Sequence, residues 1–192
     1  MKMTRKDKTN QNILSSALKG FKENGYDGIG VDMIANMANV TSGAFYAHFG
    51  SKENIFKAAV ISGLDDVLSA VHNFQTNEGK NWLSAFAEFY LSEGHRTDLA
   101  NSCALSTLTS EIARMNPELK NECEQRITEI VLAMCAGLKT GNHKKREERI
   151  WSFLAILIGG ITITRAIKGN KLAAEISKSV ISTALSIAGE AK

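Results

Sequence analysis

Proline is almost missing from this chain: of 192 residues only Pro117 is one. Few stretches alternate apolar with polar residues over four or more positions, so the β-sandwich and β-barrel readings are set aside. Cysteine is scarce too. Cys103, Cys123 and Cys135 stand 20 and 12 residues apart, no pair has CxxC spacing, and three thiols do not make a disulfide framework. That usage fits a reducing cytoplasm. The most apolar uncharged window, residues 150–164, is fifteen residues long, short of the roughly 18–20 a transmembrane helix needs. It reads as a buried helix, and no membrane association is expected. The first eleven residues are polar and basic, without the apolar stretch of a signal peptide or lipid anchor, so no export is expected. Catalytic and metal motifs are lacking as well. His48, His72, His95 and His143 are scattered, and HExxH, GxSxG, P-loop and GxGxxG patterns do not occur. No metal, no cofactor and no enzymatic activity are expected.

What remains is an ordinary globular composition, 44% apolar and 22% charged, arranged with helical periodicity from end to end. The expected fold is all-α, about nine helices with short joints and no internal repeat. Ile13, Leu14, Ala17, Leu18 and Phe21 mark a first helix over 8–24, stopped by Gly25. A two-turn helix over 31–38 follows, and Asn39 supplies the left-handed residue of a tight turn. Thr41 or Ser42 caps a third helix to residue 49. Ser51 caps a fourth that reaches toward Phe74. Trp82, Phe86, Phe89 and Tyr90 give one aromatic face to a fifth helix over 81–93, and Leu105 to Met115 mark a sixth. Asn116 caps and Pro117 opens a seventh, over 117–139. The last two span 145–168 and 172–188.

The net charge of +3 is unevenly spread. Residues 1–52 hold seven Lys/Arg against four Asp/Glu, and residues 53–192 hold sixteen of each. A small basic module for a polyanion over residues 1–50, joined to a neutral body over 51–192 that does something else, is the expected organisation. Residues 31–49 have the parts of a helix-turn-helix. Phe45 and Phe49 face inward with Val40. Ser42, Gly43, Ala44, Tyr46, Ala47 and His48 face outward, where small residues let the backbone approach a groove wall and alanine methyls meet thymine methyls. Tyr46 and His48 reach toward phosphates, and Lys52, in the first turn of the next helix, completes a phosphate clamp.

Gly25-Tyr26, Val31 to Ala35, Asn39 to Tyr46 and His48 to Glu53 together resemble the N-terminal domain of the TetR family of transcriptional regulators, over about residues 8–57 without gaps. The remainder is similar to that family's variable ligand-binding and dimerisation domain. The resemblance implies a repressor of double-stranded operator DNA that is released by a small-molecule effector. It implies a DNA-contacting set of Arg5, Thr41, Ser42, Gly43, Ala44, Tyr46, His48 and Lys52. Three positions depart from the family pattern. Asn39 stands where glycine is usual, Ser42 where a cation is frequent, and Gly30 where a Ser/Thr cap is usual. The lost charge at position 42 shifts the expected affinity onto Lys52 and the basic residues Lys2, Arg5, Lys6 and Lys8.

In the body, Trp82, Phe86, Phe89 and Tyr90, with Cys103, Thr107 and Met134, are the candidate lining of an effector pocket. Their aromatic character suggests an uncharged or lipophilic ligand; a plain hydrophobic core is the competing reading. The helix over 145–168 is apolar nearly all round and the last has a broad stripe, which suggests one half of a four-helix homodimer interface. Its expected residues are Leu154, Ile158, Ile161, Ile176, Val180, Ile181 and Leu185. Three other functions stay open: a thiol-sensing repressor, a helical ligand-binding protein without DNA affinity, and a small all-α enzyme.

Overall fold

The structure, a computed structural model, describes residues 4–192. It contains eleven α-helices and one short 3-10 turn among those residues, and the all-α reading holds. The chain forms two compact units, one from residues up to Leu64 with Leu99–Cys123, the other from Asp65–Asp98 with Glu124–Lys192.

In the first unit, α1 (Arg5–Asn24) begins three residues earlier than its apolar periodicity indicates. The cause is a capping box: the Asp7 N–H donates to Thr4 Oγ1 at 3.2 Å, and the Thr4 N–H donates to the Asp7 carboxylate at 3.0 Å. Ile13, Ala17 and Phe21 are fully buried on its inner face. Gly25, at φ +73°, ends the helix where a Cβ would stand 3.1 Å from Glu111 Oε1. Next come α2 (Val31–Met37) and α3 (Ser42–Phe49), joined through Asn39 at φ +53°, the left-handed turn residue the sequence indicates. The Ser51 hydroxyl accepts from the Asn54 N–H at 3.1 Å and starts α4 (Lys52–Glu78). Ile55, Phe56, Ala59 and Val60 on α4 are fully buried. The Phe56 ring meets Phe21 and Tyr26 edge-on, each at 4.9 Å between centroids.

The expected sixth helix is two short ones, α7 (Ala104–Thr107) and α8 (Thr109–Ile112). Hydroxyls explain the break. Ser106 and Thr107 both donate to the Cys103 carbonyl at 3.0 Å, and Thr109 donates to that of Leu105, so side chains compete for acceptors a continuous helix uses. Gly63 lets α4 lie against α7, since a Cβ there would sit 2.8 Å from the Ala104 Cβ. Asn116 caps α9 (Pro117–Ala136) by accepting from the Leu119 N–H at 3.0 Å, and Lys57 of α4 pairs with Glu118 and Glu122 at 2.8 and 2.7 Å.

In the second unit, the expected fifth helix over 81–93 stops at Tyr90 as α5 (Trp82–Tyr90), and a short α6 (Glu93–Thr97) that the periodicity does not indicate follows, started by the Ser92 hydroxyl, which accepts from the His95 N–H. Trp82 is buried and its indole N–H donates to the Gly137 carbonyl at 3.2 Å. The Gln75 amide donates to the Ala133 carbonyl at 2.8 Å, and Arg126 bridges Asp65 and Glu129. The helices α10 (His143–Arg165) and α11 (Asn170–Ala188) pack closely, with Asn142 capping the first. Their contact turns on Gly160, where a Cβ would stand 2.6 Å from Val180 Cγ1.

Gly160→Ala should therefore lower stability by about 1–3 kcal/mol through overpacking, against the roughly 1 kcal/mol gain that alanine brings to a helix interior. Urea unfolding of Gly160→Ala, Val180→Ala and the double substitution checks this: the double variant should recover most of the loss, and simple additivity would exclude the contact.

Candidate nucleic-acid interface

Helix α3 presents two distinct sides. Phe45 is fully buried and its ring lies 6.1 Å from that of Phe49, which anchors the helix to the unit. Gly43, Tyr46 and Ala47 are exposed, a stripe at i, i+3 and i+4 on the opposite side. Thr41 is exposed and caps the helix by accepting from the Ala44 N–H at 3.1 Å. Tyr46 is 52% exposed, with its ring edge-on to Phe45. Position 43 carries the most telling geometry. A Cβ there would meet nothing nearer than Thr41 Oγ1 at 3.8 Å, and Gly43 has no positive φ, so nothing inside the protein requires a glycine.

Ser42 is half-buried, and its hydroxyl donates to Asp32 Oδ1 of α2 at 2.5 Å. This bond ties the start of α3 to the first turn of α2 and places a carboxylate where a cation is frequent in similar proteins. Ala44 and His48 are half-buried beside the exposed stripe. The Nδ1 atom of His48 is covered and has no hydrogen-bond partner among the described residues, so its ring packs partly against the domain.

Two cationic groups flank α3 within this unit. The Lys52 ammonium lies 4.6 Å above the centre of the Tyr26 ring and is in no ion pair among the described residues. Burial, and then Glu53 and Asp27, push the Tyr26 phenol above its ordinary range, which keeps that ring neutral under the ammonium. Arg5, Lys6 and Lys8 are exposed on the first two turns of α1. Lys2 lies outside the described residues.

The candidate effector residues do not form one set. Cys103 and Thr107 belong to the first unit, while Trp82, Phe86, Phe89, Tyr90 and Met134 belong to the second. Trp82, Phe86, Tyr90 and Met134 are buried; Phe89 is 51% exposed, its ring against Phe74 and His95. Among the expected dimer residues, Leu154 and Ile161 are already covered within one chain and have no surface to give a partner. Ile158, Ile176, Val180, Ile181 and Leu185 are half-buried. Leu172, part of the broad stripe read on the last helix, is 50% exposed. Sequence reasoning left Trp151 and Ile163 of α10 out of the expected set, and they are 47% and 56% exposed; their places in the row 151, 155, 159 and 163 were available as a signal. No helix among the described residues is long and apolar enough to cross a membrane, and no group of three or more potential metal ligands occurs among them.

A short inward-anchored helix, preceded by a crossing helix and a tight turn, defines a helix-turn-helix module. Residues 13–59 match the family of bacterial regulatory proteins called the tetR family. The chain is 26% identical over 150 residues, 78% of its length and 51% of the relative, to the HTH-type transcriptional regulator YuxN of Bacillus subtilis. It is 40% identical over 48 residues, 25% of the chain and 26% of the relative, to the biofilm operon icaADBC negative transcriptional regulator IcaR of Staphylococcus aureus. The match to the first of these thus spans about half of that relative's length. Among solved structures, a TetR-family transcriptional regulator from Agrobacterium tumefaciens superposes with a TM-score of 0.75 at 15% identity, covering 93% of this chain and 98% of that one. A TetR-family regulator from Mesorhizobium loti gives 0.73 at 18% identity, covering 96% and 97%. These two likenesses concern the fold.

The cysteines are buried, and desolvation pushes the Cys123 thiol up to about 11, with Glu122 adding to the effect; Cys135 is raised for the same first reason. A neutral, covered thiol is a poor nucleophile. Cys123 should react with a disulfide reagent at pH 8 far more slowly in the folded protein than in urea. Because the folded thiol titrates above its ordinary value near 9, its contribution to stability is intact below that pH and is lost as pH rises toward 11. Cys123→Ala should flatten the stability profile over that interval, and an unchanged profile would show that another group titrates there.

Proposed function

We propose that this protein is a DNA-binding transcriptional regulator, a homodimeric repressor that leaves a palindromic operator when a small molecule binds its helical body. Residues 1–50 form the DNA-contacting part and 51–192 the effector-binding and dimerising part. The observation that carries the reading is Gly43: an exposed glycine without an internal reason, at the centre of an α3 face made of Thr41, Ala44, Tyr46 and Ala47 and flanked by an unpaired Lys52. Such a face lets the helix backbone close on a major groove while Tyr46 and Lys52 hold phosphates. Ser42, Thr41 and His48 take base or phosphate contacts beside them, and Arg5 reaches the backbone from α1. The match of residues 13–59 to the tetR family and the negative regulator among the relatives support repression.

Dimerisation through the exposed side of α10 and α11 supports the symmetric operator. Trp151, Ala155, Gly159 and Ile163 line one side of α10, and Gly159 has nothing within 4 Å of an added Cβ. A second copy of the pair completes a four-helix bundle there, with Ile158, Ile176, Val180 and Leu185 at its margins. Two modules then meet half-sites about 34–36 Å apart, or a multiple of that. The effector is uncharged or lipophilic and acts by binding one conformer better than the other. The buried aromatic residues support this choice, and the setting is cytoplasmic. Cys123 and Cys135, buried and with raised pKa, argue against the thiol-sensing alternative at those two positions.

Binding of the protein to its own upstream DNA and to a scrambled duplex, across a salt series, tests the reading. Sequence-specific binding should fall by about tenfold or more in Tyr46→Ala/Lys52→Ala and be abolished in Gly43→Leu, with helical content unchanged. Weak binding that ignores sequence and vanishes with salt would reject it. Gly159→Leu should leave the fold intact and lower the mass in analytical ultracentrifugation from two chains to one; a dimer unaffected by Gly159→Leu and by Ile163→Glu would place the interface elsewhere.

A further inference from the structure

Within the second unit, α6 and α11 enclose a cleft of about 380 Å³ with one side chain that its surroundings leave incomplete. Arg96 is nine-tenths buried, its side chain 10% exposed. Of the five N–H donors of a guanidinium, one has an acceptor here, Asn170 Oδ1 at 2.8 Å from Nη2. The nearest carboxylate, Glu93, stands at 3.9 Å from Nη2, too far for a hydrogen bond, and its Oε1 accepts instead from the Asn170 amide at 3.0 Å. Asn170 therefore holds the acid and the guanidinium apart in one fixed arrangement. The donors left without a protein acceptor are not sealed from solvent, and they are open to an acceptor that enters the cleft.

The rest of the cleft selects what that something is. Leu91, Ala173, Ala174 and Ile181 give it apolar walls, and the Ser177 hydroxyl is occupied by donating to the Leu91 carbonyl at 3.3 Å. Lys178 and Glu88, both exposed, also line it and oppose each other in charge. The lining balances overall, so a bare polyanion gains little. A single carboxylate gains two parallel N–H···O bonds from Arg96, and the apolar walls favour a hydrocarbon body behind it.

We propose that this cleft is a binding site for a small amphiphilic carboxylate, seated with its carboxylate on Arg96 and its hydrocarbon part along Ala173, Ala174 and Ile181. It is separate from the candidate effector residues, none of which lines it, and it does not rest on the DNA-binding reading.

Calorimetric titration of the full chain with hexanoate, with hexan-1-ol of similar shape, and with inorganic phosphate tests the assignment. Hexanoate should bind at one site per chain, at least about tenfold more tightly than either control. Arg96→Gln should weaken it by about tenfold or more. Ala174→Phe, at an exposed position of α11 that lines the cleft, should block the cleft with Arg96 intact and melting temperature unchanged. Phosphate binding as well as hexanoate would overturn the amphiphile assignment, and hexan-1-ol binding as well as hexanoate would overturn the role of Arg96. No heat from hexanoate up to solubility-limited concentrations, or equal affinity in Ala174→Phe, would overturn the site itself.

Discussion

The meeting of Phe21, Tyr26 and Phe56 is the contact on which the first unit depends. The Phe56 ring stands edge-on to both others at 4.9 Å, and Phe21 and Phe56 are fully buried. This cluster joins the end of α1 to the start of α4 across a segment that contains no other large buried ring except Phe45. It fixes Tyr26, and Tyr26 in turn fixes the position of the Lys52 ammonium above it. The helix pair α2–α3 is held between these two fixed ends by Ile34, Ala35 and Phe45, all buried. Cation placement beside α3 is thus a consequence of aromatic packing, with no ion pair needed to hold it.

The charge layout around α3 follows a different logic from the usual basic recognition helix. Ser42 sits where a positive charge is frequent among similar proteins, and its hydroxyl is turned back to Asp32. Asp32 is in the first turn of α2, where a carboxylate is favoured by the helix dipole. The start of α3 is therefore electrically neutral or slightly acidic. In the proposed reading, general phosphate attraction comes from outside α3, from Lys52 and the first turns of α1, while α3 itself contributes shape. A module built so loses non-specific affinity before it loses the ability to discriminate sequences.

Much of this was legible in the chain because local rules and tertiary packing agree there. Asn39 at the turn, Ser51 and Asn116 as caps and Pro117 at a first helical position all stand as read, since each depends on its nearest neighbours. The misreadings came from hydroxyls and from sidedness. Thr4 and Asp7 extend α1 by reciprocal capping without an apolar signal. Ser106, Thr107 and Thr109 break a helix whose apolar spacing is continuous. Phe89 shares its helical phase with Trp82, yet nine residues of α5 cannot bury a face that wide, and it is left half open. The network at Arg96 was illegible because Glu93 and Arg96 lie on one short helix while Asn170 is more than 70 positions away.

The middle of α10 shows why an apolar helix there is not simply a core helix. Gly159 and Gly160 are neighbours in sequence and face different surroundings. Gly160 is buried, and its missing side chain is the space into which Val180 fits. Gly159 is exposed with open space before it, beside Ala155 and between Trp151 and Ile163. One glycine is accounted for by α11 of the same chain. The other has the same cost in helix stability, about 1 kcal/mol against alanine, and nothing within one chain offsets it. The two glycines thus divide α10 into a side that closes its own fold and a side whose composition makes sense only against another surface. Leu154 and Ile161 belong to the first side and Trp151 and Ile163 to the second. A pattern of apolar residues all round a helix cannot make that division; the small residues make it, because they record how closely each side is approached.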